Sequence, residues 1–329
     1  MKRTLKSIFF TSASAHRVTA LLTAIVLALC FAWSSGLAES APTGATVFMT
    51  KEITPAGLMA VYKALGREAT GRVAVKVHMG EPTGTNFLSP DLIKDFVLSV
   101  NGTFVDSNTA YGGRRTSTAM HMQVAKDHGF TDIAPVDILD ADGYLALPIE
   151  NGKHLKEDRV GSHFENYDFF VILSHFKGHE MGGFGGAIKN MSIGIASKDG
   201  KCLIHTAGKS DLSMWGGVQD DFLESMAEAS KAVVDKLGGN ILYISVMNNI
   251  SIDCDCNPRP KAPDMHDIGI LASLDPVALD KACVDLVYAA EDGKSVIQRI
   301  ESRNGVHTLD YGEQIGLGSK TYTLVSIDD

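Results

Sequence analysis

Cysteine is scarce in this 329-residue chain: Cys30, Cys202, Cys254, Cys256 and Cys283 are all it has. Five are too few for a disulfide framework, and a chain of this length buries a large core without such staples. Basic charge is also short, with 30 Lys and Arg against 39 Asp and Glu and a net charge of −9. Nucleic acid is therefore a poor fit as main partner, because phosphate binding needs basic patches. Familiar catalytic signatures are missing. There is no G-x-x-x-x-G-K phosphate loop, no G-x-S-x-G elbow, no H-E-x-x-H and no dinucleotide G-x-G-x-x-G. Asp140-Ala141-Asp142-Gly143 hints at a calcium loop, but Ile138 and Ile149 fill its first and twelfth ligand positions. No internal repeat, low-complexity tract or long linker divides the chain, whose length suits two domains or one large α/β unit.

The scarce basic charge is unevenly placed. Residues 1–38 hold Lys2, Arg3, Lys6 and Arg17 and no acid, so the remainder carries −13. Val18 to Trp33 is apolar apart from Thr19 and Thr23, and Ser34-Ser35-Gly36-Leu37-Ala38 follows. A basic start, an apolar centre and a small-residue end predict a secretory signal peptide over residues 1–38, cleaved after Ala38. The protein is then exported, periplasmic or extracellular, with no membrane contact after cleavage. An uncleaved Val18–Ala38 would instead be an anchor. Leu29 before Cys30 argues against a lipoprotein, and no Arg-Arg pair signals export of a prefolded chain.

Residues 39–71 are expected to be a leader with one helical stretch at Ala56–Leu65. Over residues 72–329 strand-like and helix-like patterns alternate. Arg72–His78, Thr103–Asn108, Val136–Leu139, Tyr144–Ile149, Tyr167–Leu173, Ile241–Val246 and Ile268–Leu271 read as strands, and Tyr167–Leu173 is apolar enough to be buried on both faces. Helices are expected from Ser89 to Val100, Thr116 to His128, Gln219 to Leu237 and Pro276 to Ala290. Two short helices and a strand at Thr321–Ile327 complete the tail. The alternation predicts a single α/β domain, a mostly parallel sheet with helices on both faces.

Three motifs carry chemistry. Cys254-Asp255-Cys256 lies in a loop after a strand, where two thiolates can grip one soft metal or cluster. The same pair could form a redox disulfide or be inert surface thiols. Ser174-His175-Phe176-Lys177-Gly178-His179 follows the buried strand, and residues past a strand's carboxyl end line the ligand crevice of a parallel sheet. His175 and His179 reach one ion if the segment turns helically, and Lys177 offers a cation or an amine nucleophile. Gly182, Gly183, Gly185 and Gly186, with Lys189 after them, suit a backbone cradle for an anionic ligand at a helix start. Cys202 and His205 are further candidate metal ligands. His266-Asp267 could orient a metal-bound ring. Arg114 and Arg115 suit a carboxylate or phosphate, and with Glu81 and Tyr111 they follow the first two strands of this region.

The stretches VKVHMGEPTG, SHFKGHEMGGFGGAIKNMSIGIASKDGK, IDCDC, DIGILASLDPVALDKACVDLV and YGEQIGLGSKTY carry a resemblance. From Val73 to the C-terminus the sequence resembles the family named domain of unknown function 362, often described as iron–sulfur-centre proteins. The resemblance implies a cluster or metal near Cys254 and Cys256, with His175, Lys177, His179 and Lys189 close by. Many members also carry a C-x-x-C-x-x-C-x-x-x-C ferredoxin insert, which this chain lacks. Four thiolates commonly hold a four-iron cluster, and residues 39–329 have only four cysteines, one of them, Cys283, on the core face of its helix. The expectation is an exported protein dependent on an iron–sulfur cluster or a transition metal ion, a redox enzyme or carrier acting with a small anionic ligand. A metal-dependent hydrolase or lyase, and a non-catalytic binding protein, are the alternatives.

Overall fold

Alternating faces of one central sheet decide the architecture. The computed structural model describes residues 44–328, and the signal peptide expected over residues 1–38 lies outside them. In chain order the strands and helices are β1 (Ala45–Thr50), α1 (Pro55–Ala64), β2 (Val73–Lys76), α2 (Pro90–Ser99), β3 (Thr103–Asp106), α3 (Thr118–Asp127), β4 (Val136–Ile138), β5 (Tyr144–Pro148), β6 (Glu157–Gly161), β7 (Phe169–His175), β8 (Lys177–His179) and β9 (Gly183–Gly185). They continue as α4 (Ala187–Ile195), α5 (Lys198–His205), α6 (Gln219–Leu237), β10 (Ile241–Met247), β11 (Gly269–Ser273), α7 (Pro276–Ala289), α8 (Lys294–Ser302), α9 (His307–Gln314) and β12 (Tyr322–Ser326).

Eight strands form one sheet in the order β12-β1-β11-β10-β7-β2-β3-β4. β11 runs antiparallel to β1 and β10, and the other five pairings are parallel. The fold is thus the expected mostly parallel α/β sheet. In β7, Phe170 and Ile172 join a core with α4, α6 and α7, whereas Phe169, Val171 and Leu173 join a second core with α1 and α2. Side chains alternate across a strand, so an unbroken apolar run is what a doubly covered strand requires. Among the described residues no helix is long and apolar enough to cross a membrane.

Two expectations need correction. Residues 45–64 are not a leader: β1 pairs with both β11 and β12, and α1 packs on the sheet. The Ala45–Thr50 strand was hidden because its residues do not alternate cleanly between apolar and polar. The segment carrying His175 and His179 does not turn helically. It runs from β7 into the β8–β9 hairpin, with Lys177 opposite Gly185 and His179 opposite Gly183. Gly183 has φ 81° at this hairpin, a conformation that favours glycine.

Helix α1 starts at a local cap. Thr54 Oγ1 accepts the Gly57 N–H at 3.1 Å, and Pro55 occupies the first turn. Thr54→Ala is expected to lower stability by about 1 kcal/mol in urea denaturation, with the denaturant dependence unchanged.

Candidate functional site

The carboxyl ends of β2, β3 and β7 and the loop after β10 open on one cavity of about 250 Å³. Ligands bind at this edge of parallel sheets because the loops there diverge and leave a crevice. β2 delivers Lys76 and His78, β3 delivers Asp106 and Ser107, and β7 delivers Ser174 and His175. The loop after β10 brings Cys254, Asp255 and Cys256, while α4 and α5 bring Lys189, Asn190, Lys201 and His205.

One wall is a buried ionic network. Asp106 lies 3.1 Å from Lys76, 3.4 Å from Arg115 and 3.4 Å from His121. Burial alone would raise its carboxyl. The Lys76 ammonium, the nearby His121 ring and Arg115 outweigh that and hold it well below the usual range. Arg115 also grips Glu81 at 2.6 Å, and Tyr111 Oη donates to the same carboxylate at 2.8 Å. Asn190 joins the strands at this end: its Nδ2 donates to Leu173 O at 3.1 Å, and its Oδ1 accepts from Lys76 at 2.8 Å.

The candidate residues divide into those that reach the cavity and those that do not. Lys189 lines it and forms no hydrogen bond or ion pair with any described residue. Its shielded position, then the charges of Lys76 and Arg115, lower its ammonium to about 8. His205 lines it too. Its Nδ1 donates to Lys201 O at 2.7 Å and its ring stacks on Phe222, which leaves Nε2 as an open acceptor. His179 is buried at the wall, and its Nδ1 accepts the N–H of Gly182 at 2.8 Å and of Met181 at 3.2 Å.

His175 borders the cavity, but its nitrogens face Asp255 Oδ2 at 3.1 Å and Asn248 O at 2.7 Å. Both ring positions are engaged, so it positions Asp255 rather than presenting a free lone pair. Lys177 is buried against Asp255 and Asn86 O and is not part of the cavity lining. Burial would raise the Asp255 carboxyl, and His175 and Lys177 together hold it low. Their common effect is to fix the loop between the two cysteines.

Other candidates are placed elsewhere. Cys202 is a buried free thiol in α5 outside the cavity lining. Gly182 serves the His179 turn and Gly183 packs on Gly305, whereas Gly185 and Gly186 do line the cavity. The N-terminal amides of α4 do not await an anionic ligand. Those of Ala187 and Ile188 already donate to Asp280 at 2.7 and 3.0 Å, and a Cβ on Gly186 would meet that carboxylate at 2.2 Å. His266 pairs with Asp292, and Asp267 accepts the Asn249 N–H; neither enters the site. Arg115 is in the cavity lining and Arg114 is not. Sequence reasoning missed Asp106, Lys201, Met214 and Trp215. Asp106 carried one signal, as an acid at the carboxyl end of a strand.

The cysteine pair is joined as a disulfide. A ring nitrogen of His179 and both sulfurs lie within 4.8 Å of one another. Two thiolates and an imidazole suit a single transition metal ion once the pair is reduced and His179 gives up the Gly182 and Met181 amides, because an Nδ1 that accepts them leaves the neutral ring's proton on Nε2. They do not make the four-thiolate set of a four-iron cluster. Cys202 lies in α5, and Cys283 is in the core of α7, where burial raises its thiol well above the ordinary range.

Three neutral rings give the site an acid sensitivity. Burial lowers His78 and His179 well below the ordinary 6.5, and lowers His205 to about 4. The unfolded chain therefore binds protons below pH 6.5 that the folded protein excludes. The stability these rings contribute is complete above pH 6.5 and is lost as the pH falls toward 4. Urea midpoints measured between pH 7 and 4.5 should decline over that interval, and His205→Gln should make the decline shallower.

An α/β sheet with a cation-rich cavity at its carboxyl edge, and a cysteine pair in that cavity's wall, is the class these observations define. The chain belongs to the family described as domain of unknown function (DUF362), whose model matches residues 73–285. No curated protein matches it significantly. Two solved structures are similar to parts of it. A Thermotoga maritima protein is 13% identical with a TM-score of 0.42, covering 80% of this chain and 59% of its own length. The lactate racemase apoprotein from Thermoanaerobacterium thermosaccharolyticum is 15% identical with a TM-score of 0.38, covering 62% and 51%. The chain thus spans little more than half the length of either.

Proposed function

We propose that this is an exported redox protein that binds a small anion in the cavity and works through Cys254, Cys256 and His179. The pair cycles between a disulfide and a dithiol, taking two electrons and two protons from an external dithiol and returning them to an external disulfide, and the dithiol form would hold one transition metal ion together with His179. The observation that carries this reading is the meeting of both sulfurs and His179 in the wall of a cavity whose Lys189 has no ion pair or hydrogen bond among the described residues.

When bound, such an ion supplies electrophilic or one-electron chemistry to a molecule beside it. Lys189 neutralises the charge of the anion. Nε2 of His205 accepts a hydrogen bond from it. Asp255, gripped by His175 and Lys177, keeps the two sulfurs presented to the cavity. Three ligand atoms leave a fourth position for water, so a metal-dependent hydrolase or lyase is the second reading.

The test is a cobalt titration of anaerobically reduced protein, with the oxidised protein alongside. One Co²⁺ per chain is expected in the reduced protein only, with a thiolate-to-cobalt charge-transfer band. Absence of the band in protein whose two thiols are confirmed as free would sink the metal site. Failure of a dithiol reductant to open the disulfide would sink the redox cycle.

A further inference from the structure

The cavity has two chemically different ends. At the polar end, Lys76 and Arg115 spend their charges on Asp106 and Glu81, and Lys201 donates to Ala196 O. Lys189 is left as the one lining lysine with neither an ion pair nor a hydrogen bond to described residues. A cation without a counter-charge calls for negative charge on the ligand, and Lys201, bonded only to a neutral carbonyl, adds to that demand. At the other end the lining is Met181, Ile193, Met214 and Trp215, with the exposed Glu180 beside Met181.

Trp215 is the anomaly there. It is 67% exposed although it borders the cavity, and no aromatic ring partners it among the described residues. Nor is it carried on a loose strap. Gly217 packs so closely on α5 that a Cβ there would meet His205 O at 2.0 Å. Arg159 holds Asp211 of the same loop at 3.1 Å, and the Trp215 N–H donates to Ser213 Oγ at 3.3 Å. A large indole at a cavity mouth with a bare face leaves apolar area in water, and a flat apolar group stacked on it would recover that area. The cavity of about 250 Å³ holds roughly eight water volumes, the size of a small ring with a short charged arm.

We infer that the ligand is an anion bearing a flat apolar group, with its charge at Lys189 and its apolar face on Trp215. This rests on the anion-site reading above and adds the ligand's second half. Trp215 is then a specificity residue, and Lys189 sets the sign of charge accepted.

The chain contains two tryptophans, Trp33 and Trp215, so Trp33→Phe in the full chain leaves Trp215 as sole reporter. The probes are phenylacetate, acetate and uncharged 2-phenylethanol, followed by Trp215 emission and by calorimetry. Phenylacetate is expected to change the emission saturably and to bind at least about tenfold tighter than acetate. 2-Phenylethanol should not saturate over the same range, and Lys189→Met should weaken phenylacetate by about tenfold or more. Trp215→Ala, at an exposed position that the fold does not need, should erase the preference for phenylacetate over acetate, read by calorimetry. Equal affinity for acetate and phenylacetate, or a preference that survives Trp215→Ala, overturns this inference and leaves the anion site standing. If neither carboxylate binds, the anion site falls with it.

Discussion

Replacing Asp106 with Ala should lower the stability of the protein by about 3–5 kcal/mol, measured as a fall in the urea midpoint at pH 7. Lys76 and Asp106 side chains are 1% and 3% exposed, and Arg115 is 3% exposed. Removing the carboxylate strands these cations away from water. Lys76 keeps only Val77 O and Asn190 Oδ1, and Arg115 keeps Glu81. Buried charges that lose their partner cost far more than the pair itself contributes, because each was already stripped of solvent. The double variant Lys76→Met/Asp106→Ala should therefore cost less than the two single changes added together. Additive costs would show that the two groups do not stabilise one another. The pH dependence has a defined sign: the Asp106 carboxyl is held low in the fold, so its contribution is complete above the ordinary carboxylate range and is lost only as the pH falls through its folded value.

The second large effect is expected in metal binding. Cys254→Ser and Cys256→Ser should each weaken Co²⁺ binding to the reduced protein by at least about 100-fold. That exceeds the 10–100-fold cost of losing an outer partner, because a thiolate bonded to the metal is lost outright. His179→Ala should weaken it less than either cysteine change, since an imidazole brings no negative charge. Cys202→Ser should leave it unchanged, because that thiol sits in α5 outside the cavity lining. Equal losses from Cys202→Ser and Cys254→Ser would contradict the ligand set. Asp255→Asn offers an independent check. It keeps the shape but weakens the hold of His175 and Lys177 on the loop, so metal affinity should fall without loss of a ligand.

Much of the scaffold was legible because burial leaves a pattern in one dimension. The helix Gln219–Leu237 was readable from helical spacing of its apolar residues and from Gly238 after it, which has φ 55°. The Tyr167–Leu173 run marked a strand buried on both faces, and β7 is such a strand. The Ala45–Thr50 strand escaped because its place is set by pairing with β11 and β12, more than 200 residues away in sequence.

The site was legible only in part. Cys254, Cys256 and His179 stood out as reactive types close to strand ends, Lys189 followed a glycine-rich loop and His205 stood near Cys202, and the cavity gathers the five. His175 and Lys177 stood out equally, yet both turn to Asp255. Spacing alone cannot tell a hairpin from a helical turn in a stretch rich in glycine, and that difference decides which imidazole faces the sulfurs.

By itself, then, the sequence determined the α/β class, the family, the short list of reactive residues and the expectation of an acidic exported chain. These follow from composition, periodicity and local motifs, which act over a few residues. The tertiary structure alone decided which charges are spent and which are free. Asp106 neutralises Lys76, Asp280 takes the α4 amides, and Lys189 is left facing the cavity with no ion pair or hydrogen bond among the described residues, beside an exposed Trp215. The physical reason is that a buried charge is defined by its neighbours in space, and parallel strands bring those neighbours together from distant parts of the chain.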